Sequence, residues 1–297
     1  MPLTAKSASD ATSQSTAKAA AYAIGVALLL PLVDTLVKWL VQDYAIAMVA
    51  WVRMGLISIF LGVTGASSVG MAILRPVAWR LQIARGLAAV LGTTMVFIGF
   101  QVLPLAECLA IVFIAPVIAN IFSQIYLKER GSLVSWALAL VSFFGVLLIA
   151  KPGTDLFTFN AVYPLVGAFG LAAFLTLTRA VAEYDKSQVT AFFGPFIAFL
   201  AFSLVLPVYW VTPKSTTDIA MFLAIGVLAS AATLLQTLSY RYGTTHVVAP
   251  FGYSSLIVAI GLGWAVFGSV PDQLSVLGMV VIAAAGIAMV FATRKPN

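Results

Sequence analysis

The chain has 297 residues, of which 62% are hydrophobic and only 9% are charged, and its formal net charge is +6. A soluble domain carries about 25% charged residues, because its surface must meet water. Ten spans of ~20 residues would fill about two-thirds of this length, so the composition excludes a soluble catalytic domain and predicts an integral membrane protein.

The predicted elements are helices throughout. Residues 1–18 are rich in Ser, Thr and Ala, which predicts a disordered cytoplasmic tail rather than a cleaved signal peptide. Long apolar runs follow and predict ten transmembrane helices, at residues 19–40, 44–65, 80–101, 104–127, 132–150, 160–181, 188–211, 218–240, 246–268 and 273–292. Runs of this length satisfy their backbone groups in lipid only as helices, so the predicted fold class is all-α.

The basic residues predict the orientation in the membrane. With the N-terminus in the cytoplasm, twelve Lys and Arg residues fall at or near the inner side, whereas Lys38, Lys151 and Lys214 fall outside. This positive-inside bias predicts that both termini lie in the cytoplasm, and we expect the protein in the bacterial inner membrane. It also accounts for the net charge without any nucleic-acid-binding patch.

The two halves of the sequence resemble each other at an offset near 140 residues. The segments that begin at Ala106 and His246 each contain a long apolar helix, a short polar turn and a second, Gly-bearing apolar helix that ends at basic residues. Because five helices is an odd number, the second copy enters the membrane from the opposite side, as in many secondary transporters. We therefore predict repeats at 19–153 and 154–297 around a central cavity; chance similarity of apolar stretches is the alternative.

The first copy resembles the EamA repeat of the drug/metabolite transporter superfamily. The resemblance lies in Pro104-Leu105-Ala106-Glu107, Pro116, Lys128-Glu129-Arg130, and Gly145 before Lys151-Pro152-Gly153. The second copy matches loosely, with Leu256 in place of Pro116. Within the superfamily the chain is most similar to the YddG-type amino-acid exporters. The resemblance implies an inverted-repeat bundle of ten helices with a central cavity, from which helices 5 and 10 stand away.

Polar residues on the predicted eighth helix are candidates for a substrate site. They are Ser230, Thr233, Gln236, Thr237 and Tyr240, which fall within about a third of the helical circumference. Hydroxyl and amide groups can bind the ammonium or carboxylate of a zwitterion. The alternative is that they join neighbouring helices, as Ser and Thr commonly do in membranes.

The predicted ninth helix carries an aromatic face. His246, Tyr253, Ile257 and Trp264 share this face, and Pro250 is expected to break the helix between them. A Tyr–Trp wall would suit an aromatic or apolar substrate. His246, which is the only histidine, could couple transport to protons or could be an interfacial residue.

The predicted first helix places Pro31, Asp34 and Lys38 together, and the i, i+4 spacing allows Asp34 and Lys38 to pair. This pair could engage the charged ends of a substrate or form a gate, or Lys38 could extend to the headgroups. Arg53 lies inside the second span, so we expect it to pair with Glu107 or Asp34, or to face the cavity.

Three further helices carry candidate residues. Helix 3 presents Thr94, Phe97 and Gln101 together, Glu107 opens helix 4, and a kink is expected at Pro116. Helix 6 carries a strip of Tyr163, Gly167, Gly170 and Phe174, which is typical of a close helix contact.

These features favour an alternating-access exporter of aromatic and other neutral amino acids, acting as a monomer or homodimer in the lipid bilayer. The sequence contains no GxxxxGK[ST] loop for phosphate, so we expect neither direct ATP coupling nor a cofactor. One His and one Cys do not suggest a metal site. Exporters of nucleosides, sugars or drugs are the alternatives, followed by a membrane-embedded enzyme, which would have catalytic residues, or a channel.

Overall fold

The computed structural model describes residues 3–126, 133–151, 159–242, 248 and 251–292. Its helices are α1 (Leu3–Leu40), α2 (Ile46–Val69), α3 (Trp79–Val102), α4 (Leu105–Val112), α5 (Ala115–Tyr126), α6 (Leu133–Ala150), α7 (Val162–Val181), α8 (Ser187–Tyr209), α9 (Thr216–Tyr242), α10 (Ser255–Phe267) and α11 (Gln273–Ala292). Within these residues, eight helical segments are long and apolar enough to cross a membrane, and two shorter apolar helices, Trp136–Ala150 and Ser255–Phe267, complete the ten predicted segments. The prediction of an all-α membrane protein is confirmed.

The first helix is longer than predicted. α1 begins at Leu3, so the residues expected to form a disordered tail continue the first membrane helix. The physical reason is that this segment extends a helix already formed by the apolar residues after it, and extending a helix needs no new nucleation. The α1 helix also continues through Pro31 without a break.

The fourth membrane segment is interrupted in its middle. α4 ends at Val112 and α5 begins at Ala115, with a turn at 113–114 between them. Pro116 follows this turn and has no backbone N–H to continue the helical ladder. The kink expected at Pro116 is therefore present as a full break in the helix.

The ninth segment has a similar break. A turn at 253–254 precedes α10, although no proline lies at this point. Instead, the hydroxyls of Ser254 and Ser255 donate hydrogen bonds to the carbonyls of Phe251 and Gly252, at 2.6 Å and 2.7 Å. The rings of Phe113 and Tyr253 lie 5.1 Å apart, so the two breaks are in contact.

The main helix pairs are antiparallel. In the α2–α8 pair, the rings of Trp51 and Phe199 lie 5.2 Å apart, and Trp51 donates a hydrogen bond to Ser203 at 2.8 Å. Further along, Gly62 lies against Phe192, so α2 and α8 run in opposite directions. The other extensive antiparallel pairs are α3 with α7, α1 with α9, and α6 with α11.

Glycines allow two of these pairs to approach closely. A Cβ added to Gly170 on α7 would lie 2.7 Å from the backbone nitrogen of Gly92 on α3. This confirms the close contact predicted for the sixth membrane span, which is α7 in the structure. In the α6–α11 pair, a Cβ on Gly278 would lie 2.6 Å from the carbonyl oxygen of Gly145. Backbone-to-backbone contact at small residues is a common mode of helix association in lipid, where the hydrophobic effect does not drive it.

The loops define the two ends of the bundle. The Tyr44 end comprises residues 41–45, 103–104, 151, 210–215 and 268–272, and the Arg75 end comprises residues 70–78 and 182–186. Successive membrane segments alternate between these ends, as a ten-span topology requires.

The contact between α3 and α7 gives a testable prediction. We expect Gly170→Ala to lower the free energy of unfolding by about 1–3 kcal/mol, because the added Cβ meets backbone atoms that cannot move aside cheaply. The measurement is the thermal unfolding temperature of the purified protein in detergent. Gly261→Ala is the matched control, since a Cβ there meets nothing within 4 Å and alanine is the better helix former. Equal unfolding temperatures for the two variants would contradict the packing described for Gly170.

Candidate functional site

An ion pair lies inside the bundle between α1 and α2. Nη1 of Arg53 is 3.3 Å from Oδ1 of Asp34, and the two side chains are 17% and 14% exposed. Each residue lies within about two turns of the Tyr44 end of its helix, or roughly 10 Å along the helix axis. The Arg53 guanidinium is also 5.8 Å from the centre of the Phe97 ring on α3. Of the two partners expected for Arg53, Asp34 and Glu107, the structure shows Asp34.

Lys38 does not pair with Asp34, although the i, i+4 spacing allowed it. Its ammonium instead donates hydrogen bonds to the carbonyls of Phe100 and Leu103, at 2.5 Å and 2.6 Å. These carbonyls end α3, where the helix has no further donors of its own and where a cation is favoured by the helix dipole. Lys38 is therefore buried between α1 and α3, and it does not extend to the headgroups as one interpretation of the sequence expected.

Glu107 lies on a different surface from the Asp34–Arg53 pair. Its carboxylate accepts a hydrogen bond of 2.9 Å from Ser275 on α11. Close by, the ammonium of Lys151 is 2.6 Å from the Asp272 carboxylate, and this contact lowers the pKa of Asp272 to about 2. Glu107 therefore helps to join α4 to α11, and it does not contribute to the pairing of Arg53.

The polar residues of α9 divide into two kinds of environment. Ser230 is buried, and the hydroxyls of Thr233 and Thr237 donate hydrogen bonds to carbonyls of their own helix, at 2.8 Å and 2.9 Å. Gln236 is exposed, yet it shares a helix face with Ile225, Ala229 and Ala232, which are at most 2% exposed. Ser239, which lies on the same face closer to the Arg75 end, is fully buried, so Gln236 is an accessible polar group between buried residues.

The aromatic wall predicted for the ninth helix does not form. Tyr253 is buried against Phe113 and near Gly286 of α11, whereas Ile257 and Trp264 are 73% and 65% exposed. The physical reason is the turn at 253–254, because a helical face cannot be continued through a break in the helix. His246, Pro250 and the side chain of Tyr240 lie outside the described residues.

The remaining candidates lie on α1 and α3. Pro31 is buried inside α1, and Thr94 is partly exposed on α3. Gln101 is exposed near the end of α3 and donates a hydrogen bond to the carbonyl of Val41. This bond and those of Lys38 tie α1 to α3 at the Tyr44 end.

A second buried polar cluster, made by Gln82, Arg85 and Asp185, was not predicted as a site. Asp185 accepts hydrogen bonds from the Val77 backbone, at 2.6 Å, and from Gln82, at 2.9 Å. Arg85 is 2% exposed, donates to the carbonyl of Thr190, and lies over the Phe174 ring at 4.9 Å. The available signal was the i, i+3 spacing of Gln82 and Arg85 in an apolar span. This cluster joins α3 to the α7–α8 turn at the Arg75 end.

The fold and its buried charges define a polytopic membrane protein with polar groups inside a helical bundle. Residues 17–151 match the EamA-like transporter family, over the part of the chain predicted as the first repeat. A solved crystal structure that is 17% identical superposes with a TM-score of 0.63, covering 95% of this chain and 99% of the other. The fold is therefore shared with that structure.

Relatives with assigned transport functions are similar over most of the chain. The pseudopaline exporter CntI of Pseudomonas aeruginosa is 26% identical over 216 residues, which cover 70% of this chain and 74% of its own. The riboflavin transporter of Vibrio cholerae is 26% identical over 60% of each chain. The S-adenosylmethionine uptake transporter of Rickettsia prowazekii is 21% identical over 72% of this chain and 73% of its own. The family match and these relatives place the chain among small-molecule transporters of the membrane.

The contacts of Lys38 predict a structural effect. Lys38→Met leaves the two carbonyls at the end of α3 without their donor, so we expect a loss of about 1–3 kcal/mol in the free energy of unfolding. Lys214→Met is the control, because Lys214 pairs with Asp43 in an exposed contact and such pairs contribute less than ~1 kcal/mol. Thermal unfolding in detergent and transport in liposomes would be measured for both variants. A Lys38→Met variant with normal unfolding and no transport would assign Lys38 to substrate binding instead.

Proposed function

We propose that this protein is a secondary transporter that exports aromatic and other neutral amino acids across the cytoplasmic membrane. The observation that carries the proposal is the Asp34–Arg53 pair, which places opposite charges inside a bundle of membrane helices. Charged groups within a membrane span are costly and typically mark the pathway of a polar substrate. A neutral amino acid carries one positive and one negative group, which matches the charges of this pair.

We further propose an inverted repeat, with residues 19–153 and 154–297 as its two copies. Its support is that helix contacts correspond when the first five membrane segments are exchanged with the second five. The α3–α7 contact then becomes the α9–α1 contact, and the α3–α8 contact becomes the α9–α2 contact. The breaks at 113–114 and 253–254 also lie at the predicted offset near 140 residues. Broken helices near the centre of the membrane are where transporters of this architecture bind substrate.

The contacts at the Tyr44 end of the bundle fit one state of an alternating-access cycle. At the Tyr44 end, Tyr44 donates a hydrogen bond to Asp218, at 2.7 Å, and accepts one from the Lys214 backbone, at 2.8 Å. The bonds of Lys38 and Gln101 close the same end. We interpret this conformation as the state of the alternating-access cycle in which the Tyr44 end is closed.

Other substrate classes are the second candidate. The relatives carry pseudopaline, riboflavin and S-adenosylmethionine, and their names indicate both export and uptake. Riboflavin has no ammonium–carboxylate pair, whereas S-adenosylmethionine contains one, so a flux panel can separate these classes. The similarity is to transporters, and nothing in the geometry of the described residues favours an enzyme or a channel.

The substrate proposal is tested by flux into or out of liposomes. Purified protein is expected to give saturable movement of phenylalanine, tryptophan and other neutral amino acids, and the panel would include riboflavin and a nucleoside. Repeating the measurement with an imposed pH gradient determines whether protons are coupled to transport. Amino-acid flux no greater than in empty liposomes would contradict the substrate proposal, and flux of riboflavin alone would support the second candidate.

The orientation is tested by cysteine labelling. Ser187 and Thr212 are exposed residues at the Arg75 and Tyr44 ends, respectively, and the single native cysteine, Cys108, is fully buried. In intact cells, a membrane-impermeant maleimide is expected to label Thr212→Cys and not Ser187→Cys. Permeabilised cells should label both, which controls for reactivity. Labelling of Ser187→Cys alone in intact cells would place the termini outside.

A further inference from the structure

Arg53 has unused hydrogen-bonding capacity inside the bundle. Among the described residues, its one hydrogen bond runs from Nη1 to Asp34, at the long distance of 3.3 Å. Its Nε is buried and has no hydrogen-bond partner among the described residues. A buried donor without an acceptor is unfavourable by about 1–3 kcal/mol. The arrangement is therefore incomplete, and it would be stabilised by a further acceptor.

The shape of the guanidinium indicates which acceptor fits. Its N–H groups form a planar fork that binds a carboxylate through two parallel hydrogen bonds, and Nε is part of that fork. Asp34 uses only one donor, so it does not satisfy this geometry. A carboxylate of a substrate that met Nε and a terminal nitrogen of Arg53 would do so.

Of the cations near this site, Arg53 is the one available to bind a carboxylate. Lys38 is the nearest alternative on α1, but its ammonium is bonded to the carbonyls of Phe100 and Leu103. The face of Phe97 lies against the guanidinium on the α3 side. Asp34 and Arg53 are both partly exposed, and Nε of Arg53, which is buried, would become accessible as a substrate separates the two side chains.

We propose that Arg53 binds the carboxylate of the substrate and that Asp34 then binds its ammonium group, so that the zwitterion inserts into the ion pair. This inference rests on the proposed function and assigns the residues that recognise the amino-acid moiety. The exchange keeps the net charge of the site at zero, because each protein charge receives one opposite charge. A neutral zwitterion is thereby favoured over an ester or amide, which lacks the carboxylate.

The test compares phenylalanine with phenylalaninamide in the liposome assay. Wild-type protein is expected to move phenylalanine in preference to the amide. Arg53→Gln should reduce phenylalanine flux roughly 10- to 100-fold, the effect of losing a charge-assisted hydrogen-bond pair, and should abolish the preference. Arg53→Lys should give an intermediate loss, because it keeps the charge and loses the fork. Arg75→Gln, at an exposed loop position, is the control and should transport normally.

A double variant separates substrate binding from structural pairing. Asp34→Arg combined with Arg53→Asp retains two opposite charges but reverses their positions. We expect it to unfold near the wild-type temperature in detergent and to transport phenylalanine poorly. Normal transport by this variant would show that only the pairing matters and would overturn the proposal.

The outcomes also distinguish this inference from the proposed function. If wild-type protein moves no amino acid, the proposed function fails and the inference fails with it. If wild-type protein moves phenylalanine and a folded Arg53→Gln variant moves it equally well, with the same preference over the amide, the assignment of Arg53 alone is wrong. If Arg53→Gln does not fold, Arg53→Lys is used in its place. Phenylalanine flux and a preference over phenylalaninamide equal to those of wild-type protein would then show that the assignment of Arg53 is wrong.

Discussion

The absence of water from the hydrocarbon core governs the architecture of this protein. Every backbone N–H and C=O in that region must find a partner within the protein, which makes continuous helix the default. In the part of the chain that the structure describes, membrane segments depart from helix at 113–114 and 253–254, and the two breaks contact each other. One break is produced by proline and the other is stabilised by serine hydroxyls. Two different local structures therefore interrupt two membrane helices at positions 140 residues apart.

The same constraint explains how the charged side chains are distributed. Lys38 meets carbonyls at a helix end, Arg85 meets a carbonyl and an aromatic face, and Glu107 meets a serine. Each of these contacts joins neighbouring segments of the bundle. Nε of Arg53 and Nε of Arg85 are both buried without an acceptor among the described residues. Arg85 nevertheless donates hydrogen bonds to Thr178 and to the Thr190 carbonyl, whereas Arg53 makes a single bond of 3.3 Å, to Asp34. This sparse bonding of Arg53, beside a carboxylate of opposite charge, is the physical basis for proposing the Asp34–Arg53 pair as the site.

The sequence predicts the helices well and the contacts between them poorly. The hydropathy of each segment predicts whether that segment crosses the lipid, independently of its neighbours. Each of the ten predicted spans therefore has at least one end within a few residues of a helix boundary in the structure. The pairing of Lys38 could not be predicted from i, i+4 spacing, because the carbonyls of α3 are nearer and are visible only in three dimensions. The face shared by Tyr253 and Trp264 fails for a similar reason, since it assumes an unbroken helix. In contrast, the close helix contact at Gly170 was predictable, because a strip of small residues on a membrane helix commonly marks a helix–helix contact.

The bonds of Lys38 also have a kinetic consequence. If transport proceeds by alternating access, opening of the Tyr44 end must separate α1 from α3, and both charge-assisted bonds to Phe100 and Leu103 break in that step. Water can solvate the ammonium only after the end has begun to open, so the cost of breaking these bonds falls on the activation barrier. Turnover would then be limited by this opening and would rise steeply with temperature. The residue that sets the speed of the cycle would thus be distinct from the residues that select the cargo.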